Sequence, residues 1–165
     1  MKSSERPRFK DWVDHLTTAF PEVRLKQFLE MRGADGGPWG RLCALPAFWV
    51  GLLYDSDSRQ AAWDLVKDWT AEEHARLRAD APRLALATPF RTGTIGDVAE
   101  RAVALARDGL ARRARRDAMG ADETHFLDPL IRIAETRRTP AEDLLAAYEG
   151  RWHESVDPAF DEESY

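Results

Sequence analysis

Glu30 and Arg32 stand two positions apart, so in extended backbone a carboxylate and a guanidinium leave the chain on the same side. Arg24 and Lys26 share that parity. A carboxylate is a hard oxygen ligand suited to magnesium, and a guanidinium is a planar fork suited to phosphate oxygens. Together they fit a metal–nucleotide site, where cations neutralise charge on a phosphoryl group. The run Gly33-Ala34-Asp35-Gly36-Gly37-Pro38-Trp39 follows at once; its glycines allow backbone to approach a ligand closely, and Trp39 is a further residue that could line the site. The plain alternative is a charged face turned to water, whose pairs contribute about 0.2–1 kcal/mol each.

The element that must position these groups is read from Glu22 to Arg32. Val23, Leu25, Leu29 and Met31 occupy four of the five odd positions, and five of the six even positions are charged. This alternation predicts one strand with a buried apolar face, the only convincing strand in the chain. The rest reads as helix. Segments are expected over Lys10–Ala19, Arg41–Tyr54, Ser58–Asp68, Ala71–Asp80, Thr94 to about Arg116, and Phe126–Thr136. A last helix opens at Thr139-Pro140-Ala141-Glu142, a capping box with proline at the first helical position, and stops at Gly150. One strand makes no sheet, so its neighbours are expected from another chain, another segment or an oligomer.

Composition narrows the classes. The 165 residues carry 24 basic and 29 acidic side chains, a net charge of −5, with 44% hydrophobic residues. That balance describes a folded domain rather than a disordered chain and argues against a general nucleic-acid binder, although Arg112–Arg116 form a basic run. Cys43 is the one cysteine, which excludes an internal disulfide framework; a cytoplasmic location is the expectation. The most apolar stretch, Leu42–Tyr54, is 13 residues long, shorter than the roughly 20 that span a bilayer, and reads as a core helix. His15, His74, His125 and His153 lack metal-ligand spacing.

The run FPEVRLKQFLEMRGADGGPWGRLCALPAFWVGLLYD, from Phe20 to Asp55, closely resembles glutamate–cysteine ligases of the plant and proteobacterial type. Val66-Lys67-Asp68-Trp69, Thr88-Pro89-Phe90-Arg91, Phe126-Leu127-Asp128-Pro129 and Ser155-Val156-Asp157-Pro158 fit the same family. The resemblance implies ATP-dependent joining of the glutamate γ-carboxylate to the cysteine amine through an acyl phosphate, in glutathione synthesis. It implies a glutamine-synthetase-like fold, α+β, of which this mostly helical chain would be the C-terminal portion and contribute one antiparallel strand. Glu30-Met31-Arg32 matches a Glu-x-Arg motif of that superfamily, so Glu30 is assigned to Mg²⁺ and Arg32, as the catalytic arginine, to nucleotide phosphate. Arg24 and Lys26 share the face without an equally secure role.

Three departures accompany the match. Position 27 is Gln and position 40 is Gly where basic residues are expected, and Cys43 alone cannot form the regulatory disulfide of plant members. The organisation expected is a flexible lead (1–9), a catalytic-domain portion (10–150, strand about 22–32) and an acidic tail (151–165). The cofactors implied are ATP and Mg²⁺. The partners implied are a complementary N-terminal half or subunit, or a homo-oligomer, with glutamate and cysteine or another amine as substrates and with neither nucleic acid nor membrane. The chain is expected to be inactive alone. The alternative is a non-catalytic binding or regulatory module derived from such a ligase.

Overall fold

The structure, a computed structural model, describes residues 6–163; part of the expected lead lies outside them. The chain divides into two compact units, Met1–Asp35 and Gly36–Tyr165.

The first unit contains α1 (Phe9–Leu16) and two short strands, β1 (Val23–Leu25) and β2 (Leu29–Met31). Asp11 accepts the Arg8 amide at 2.6 Å and closes the start of α1. The strands pair antiparallel with Val23 opposite Met31, Arg24 opposite Glu30 and Leu25 opposite Leu29. Two backbone bonds frame the hairpin: Lys26 N–H donates to the Phe28 carbonyl at 2.9 Å, and Arg32 N–H to the Glu22 carbonyl at 2.7 Å. The single strand expected over this segment is therefore corrected to a hairpin. The reason lies in the turn. Three residues connect the strands, an odd number, so odd positions pair with odd positions and the two-residue alternation runs through the turn unbroken. A long strand and this hairpin write the same pattern. The apolar face is also not buried: Val23, Leu25 and Leu29 are exposed, Leu25 to 79%.

The second unit is helical: α2 (Trp39–Leu53), α3 (Ser56–Val66), α4 (Ala71–Leu84), α5 (Ile95–Arg113), α6 (Asp128–Thr136), α7 (Pro140–Glu149) and α8 (Asp157–Glu162). Its core joins Ala47 and Leu52 of α2 to Ala106 and Leu110 of α5 and to Leu127, with Phe48, Leu105 and Ile131 packed around them. The Leu42–Tyr54 run is thus the core helix its composition predicts. Gly51 and Gly109 set how closely α2 and α5 cross. A Cβ on Gly51 would lie 2.1 Å from the Ala106 carbonyl oxygen, and one on Gly109 2.0 Å from the Gly51 oxygen. Backbone meets backbone here, and only glycine leaves the room.

Polar links hold the helices in register. Asp55 caps α3 by accepting the Ser58 amide at 2.8 Å, and Arg112 of α5 grips the same carboxylate at 2.8 Å. Ser58, fully buried, donates to the Leu105 carbonyl at 2.8 Å. The expected capping box at Thr139 and Glu142 forms at the start of α7, and Gly150 is the residue at its C-cap.

Two features go beyond the expected elements. Pro89–Phe90 and Gly93–Thr94 pair as β3 and β4, strands of two residues that are too short to show a period. Arg91, in the turn between them, sits at φ 52°, held by two bonds to Glu73 at 2.8 and 3.0 Å. Within residues 151–163, read from composition as acidic, α8 is tied back by Trp152, whose Nε1 donates to Glu162 at 2.8 Å. No helix among the described residues is long and apolar enough to cross a membrane.

Candidate functional site

The hairpin brings Glu30 and Arg24 directly together. Because they face each other across β1 and β2, Arg24 Nε donates to Glu30 Oε2 at 2.7 Å, with each side chain about 30% exposed (28% and 31%). This hydrogen bond, opposed by partial desolvation and aided by the charges of Arg24, Lys26 and Arg32, holds the Glu30 carboxyl below its ordinary value of 4.5. The carboxylate is ionised at neutral pH.

Arg32 follows β2 on the parity of Glu30. Its guanidinium carbon stacks 5.0 Å from the centre of the Phe20 ring, a cation–π contact. Its Nη1 is buried with no hydrogen-bond acceptor among the described residues. A buried, unpaired charged donor is costly unless an acceptor arrives, and an oxyanion is the acceptor a guanidinium fits best. Glu30 and Arg32 therefore share one face as expected. Glu30 also has a protein partner that the sequence left open between a site role and a cross-strand pair.

Lys26 lies in the turn and is exposed. Trp39 starts α2 in the other unit and is 75% exposed. The glycine-rich loop between Arg32 and Trp39 contains the boundary between the units. Two roles are supplied by the structure. Phe20, just before Pro21, is not among the candidate residues named from the sequence, yet its ring supports Arg32. Arg24 was a neighbour on the strand, whereas it is the partner of Glu30. Parity alone carried the signal for Arg24, since a hairpin centred on Gln27 pairs the two. Among the described residues, no group of three or more His, Cys, Asp or Glu could hold a metal ion, so Glu30 is a single candidate ligand.

Comparison with known proteins decides the family. The model of glutamate-cysteine ligase family 2 matches residues 1–162. The chain belongs to that family. It is similar to the chloroplastic glutamate–cysteine ligase of Arabidopsis thaliana, 56% identical over 161 residues, which cover 98% of this chain and 30% of the relative. It is similar to the chloroplastic enzyme of Solanum lycopersicum at 55% over 161 residues, with the same two shares of 98% and 30%. It is also similar to the chloroplastic glutamate–cysteine ligase A of Oryza sativa subsp. indica at 53%, covering 98% of this chain and 32% of that one. The chain thus spans about 30% of the length of the curated relatives it matches. These relatives are named chloroplastic, which overturns the cytoplasmic expectation: a single unpaired cysteine is compatible with any compartment that keeps thiols reduced, and so could not single out the cytosol.

Proposed function

We propose that this family member contributes an active-site hairpin and a helical layer to an ATP-dependent ligase that joins the glutamate γ-carboxylate to the cysteine amine by way of an acyl phosphate. Further polypeptide, in the same chain or another, would complete a glutamine-synthetase-like sheet around it. The observation that carries the reading is the pair Glu30 and Arg32 on one hairpin face, with Arg32 Nη1 buried and unpartnered. Family membership and the ligase names of the relatives support it. The exposed apolar side of the hairpin supports the need for more sheet.

In this reading Arg32 receives a phosphate oxygen of ATP at its orphan donor, and Phe20 fixes the plane of the guanidinium. Glu30 is the carboxylate available to Mg²⁺. One of its oxygens is engaged by Arg24, and the ion's other ligands would come from outside the described residues. Bound there, magnesium and ATP would supply the activated phosphoryl group. Arg24 has two effects: it keeps Glu30 ionised, and it competes for one of its oxygens. Such a site acts by placement and charge neutralisation rather than by covalent chemistry of its own.

The experiment supplies the remainder of a relative's sequence by fusion and follows ADP formation dependent on glutamate and cysteine. The 165-residue chain alone is expected to show none, since groups that act as a unit contribute little singly. In the assembly, Glu30→Gln and Arg32→Lys should each lower turnover on the order of 10²-fold, and Glu30→Gln should raise the magnesium requirement. Asp35→Asn, in the loop, should change little. If Glu30→Gln and Asp35→Asn behave alike in a folded, active assembly, the site assignment fails. The second reading, a non-catalytic module, rests on the Arg24–Glu30 pair as a structural contact; Arg24→Gln restoring nothing and Glu30→Gln harming only stability would favour it.

A further inference from the structure

A cleft of about 620 Å³ opens in the helical unit, lined by Pro38 and Arg41 at the start of α2, Asp128 and Arg132 of α6, Arg138 in the turn after α6, and Asp143 of α7. Its volume is that of a small-molecule site. Three guanidinium groups face it against two carboxylates, and one of each is already matched, Arg138 with Asp143.

Arg41 is the unusual member. Its Nε is buried without an acceptor among the described residues. Its ion pair with Glu163 is long, at 3.8 Å. Gly37 lies against it, so that a Cβ at position 37 would fall 2.5 Å from Nε, while the side chain as a whole keeps 28% of its surface exposed. The N-terminal end of α2 borders the same space. Pro38 offers no side-chain cap, and the first turn has no acidic residue. The positive end of a 15-residue helix thus has no acidic residue in its own first turn, and Asp128 is the carboxylate, unpaired among the described residues, that lines the same space. A buried donor atom without an acceptor and a helix start without an acid of its own, bordering one cleft where arginines outnumber carboxylates, favour the same thing: an oxygen-bearing anion.

We propose that this cleft binds the phosphate or carboxylate group of a small molecule, with Arg41 Nε as its buried donor and Arg132 as its charged partner at the rim. The site uses no residue of the hairpin, so it stands or falls independently of Glu30 and Arg32.

The test titrates the isotope-labelled 165-residue chain with inorganic phosphate and, separately, with glutarate, and reads amide shifts by NMR. Saturable shifts at Gly40, Arg41 and Arg132 are expected in the millimolar range. Affinity should fall about tenfold in Arg132→Gln and in Arg41→Gln. Arg83→Gln, whose residue pairs with Asp80 on α4, should bind as the parent does. A response to phosphate alone assigns phosphate; a response to glutarate alone assigns a carboxylate. Arg132 is exposed, so its variant remains readable even where Arg41→Gln fails to fold. No saturable shift with either anion, or unchanged affinity in Arg132→Gln, overturns the proposal.

Discussion

The hairpin and the helical unit spend their apolar residues differently. In the helical unit, Leu110 and Leu127 are at most 1% exposed, and α2 meets α5 backbone to backbone at Gly51 and Gly109. In the first unit, Trp12, Leu16, Leu25 and Leu29 are all exposed, while the polar contacts are made: Arg24 to Glu30, Arg32 over Phe20. The helical unit buries a core of its own, although Trp63, Leu145 and Phe160 stay exposed. The hairpin pairs Arg24 with Glu30, keeps Arg32 Nη1 without an acceptor among the described residues, and leaves its apolar side exposed; a two-stranded hairpin is marginal on its own. The candidate ligase residues thus sit on the part of the chain with the least internal support.

Truncation should expose this contrast most strongly. Leu110→Ala removes a fully buried side chain and should cost about 3 kcal/mol in urea unfolding followed by helical circular dichroism. Leu25→Ala on the hairpin should stay within about 0.5 kcal/mol. Equal costs would show that the hairpin's apolar side is buried in solution. Gly51→Ala is expected to cost on the order of 2–3 kcal/mol, because its Cβ meets the α5 backbone rather than a yielding side chain; a near-neutral result would mean that α2 and α5 cross less tightly than described.

A smaller effect concerns the helix caps. Thr139→Ala should destabilise the helical unit by about 1 kcal/mol, whereas Thr139→Ser should recover most of that. If both behave alike, the capping box contributes nothing beyond backbone geometry.

The finest comparison is by pH. Arg91 and the Thr70 amide pull the Glu73 carboxyl down to about 2, from an ordinary 4.5. Arg24 lowers Glu30 in the hairpin. A carboxyl that is more acidic folded than unfolded stabilises above the unfolded value and loses that contribution as pH falls through the folded one. Stability of the helical unit should therefore decline from about pH 4.5 toward pH 2, and Glu73→Gln should flatten that decline. In the hairpin, Arg24→Gln should return the NMR titration of Glu30 toward its ordinary range. A Glu30 titration indifferent to Arg24 would break the pairing on which the site is built.

Much of this protein was determined by the sequence alone. The 3.6-residue pattern placed α2 to α7 within a few residues, and the Thr139–Glu142 box forms where its spacing puts it, because these signals are local. The parity that sets Arg24, Glu30 and Arg32 on one face was also legible. Three outcomes belonged to the tertiary structure. One was the fold-back at Lys26–Phe28, invisible because a three-residue turn preserves parity. Another was the exposure of Leu25 and Leu29, since alternation says which residues share a face but not whether anything covers it. The last was the meeting of Arg41, Arg132 and Arg138 around one cleft. These residues lie up to 97 positions apart (41 to 138), and what joins them is the packing of α6 and α7 near the start of α2, a matter of long-range burial that no local spacing encodes.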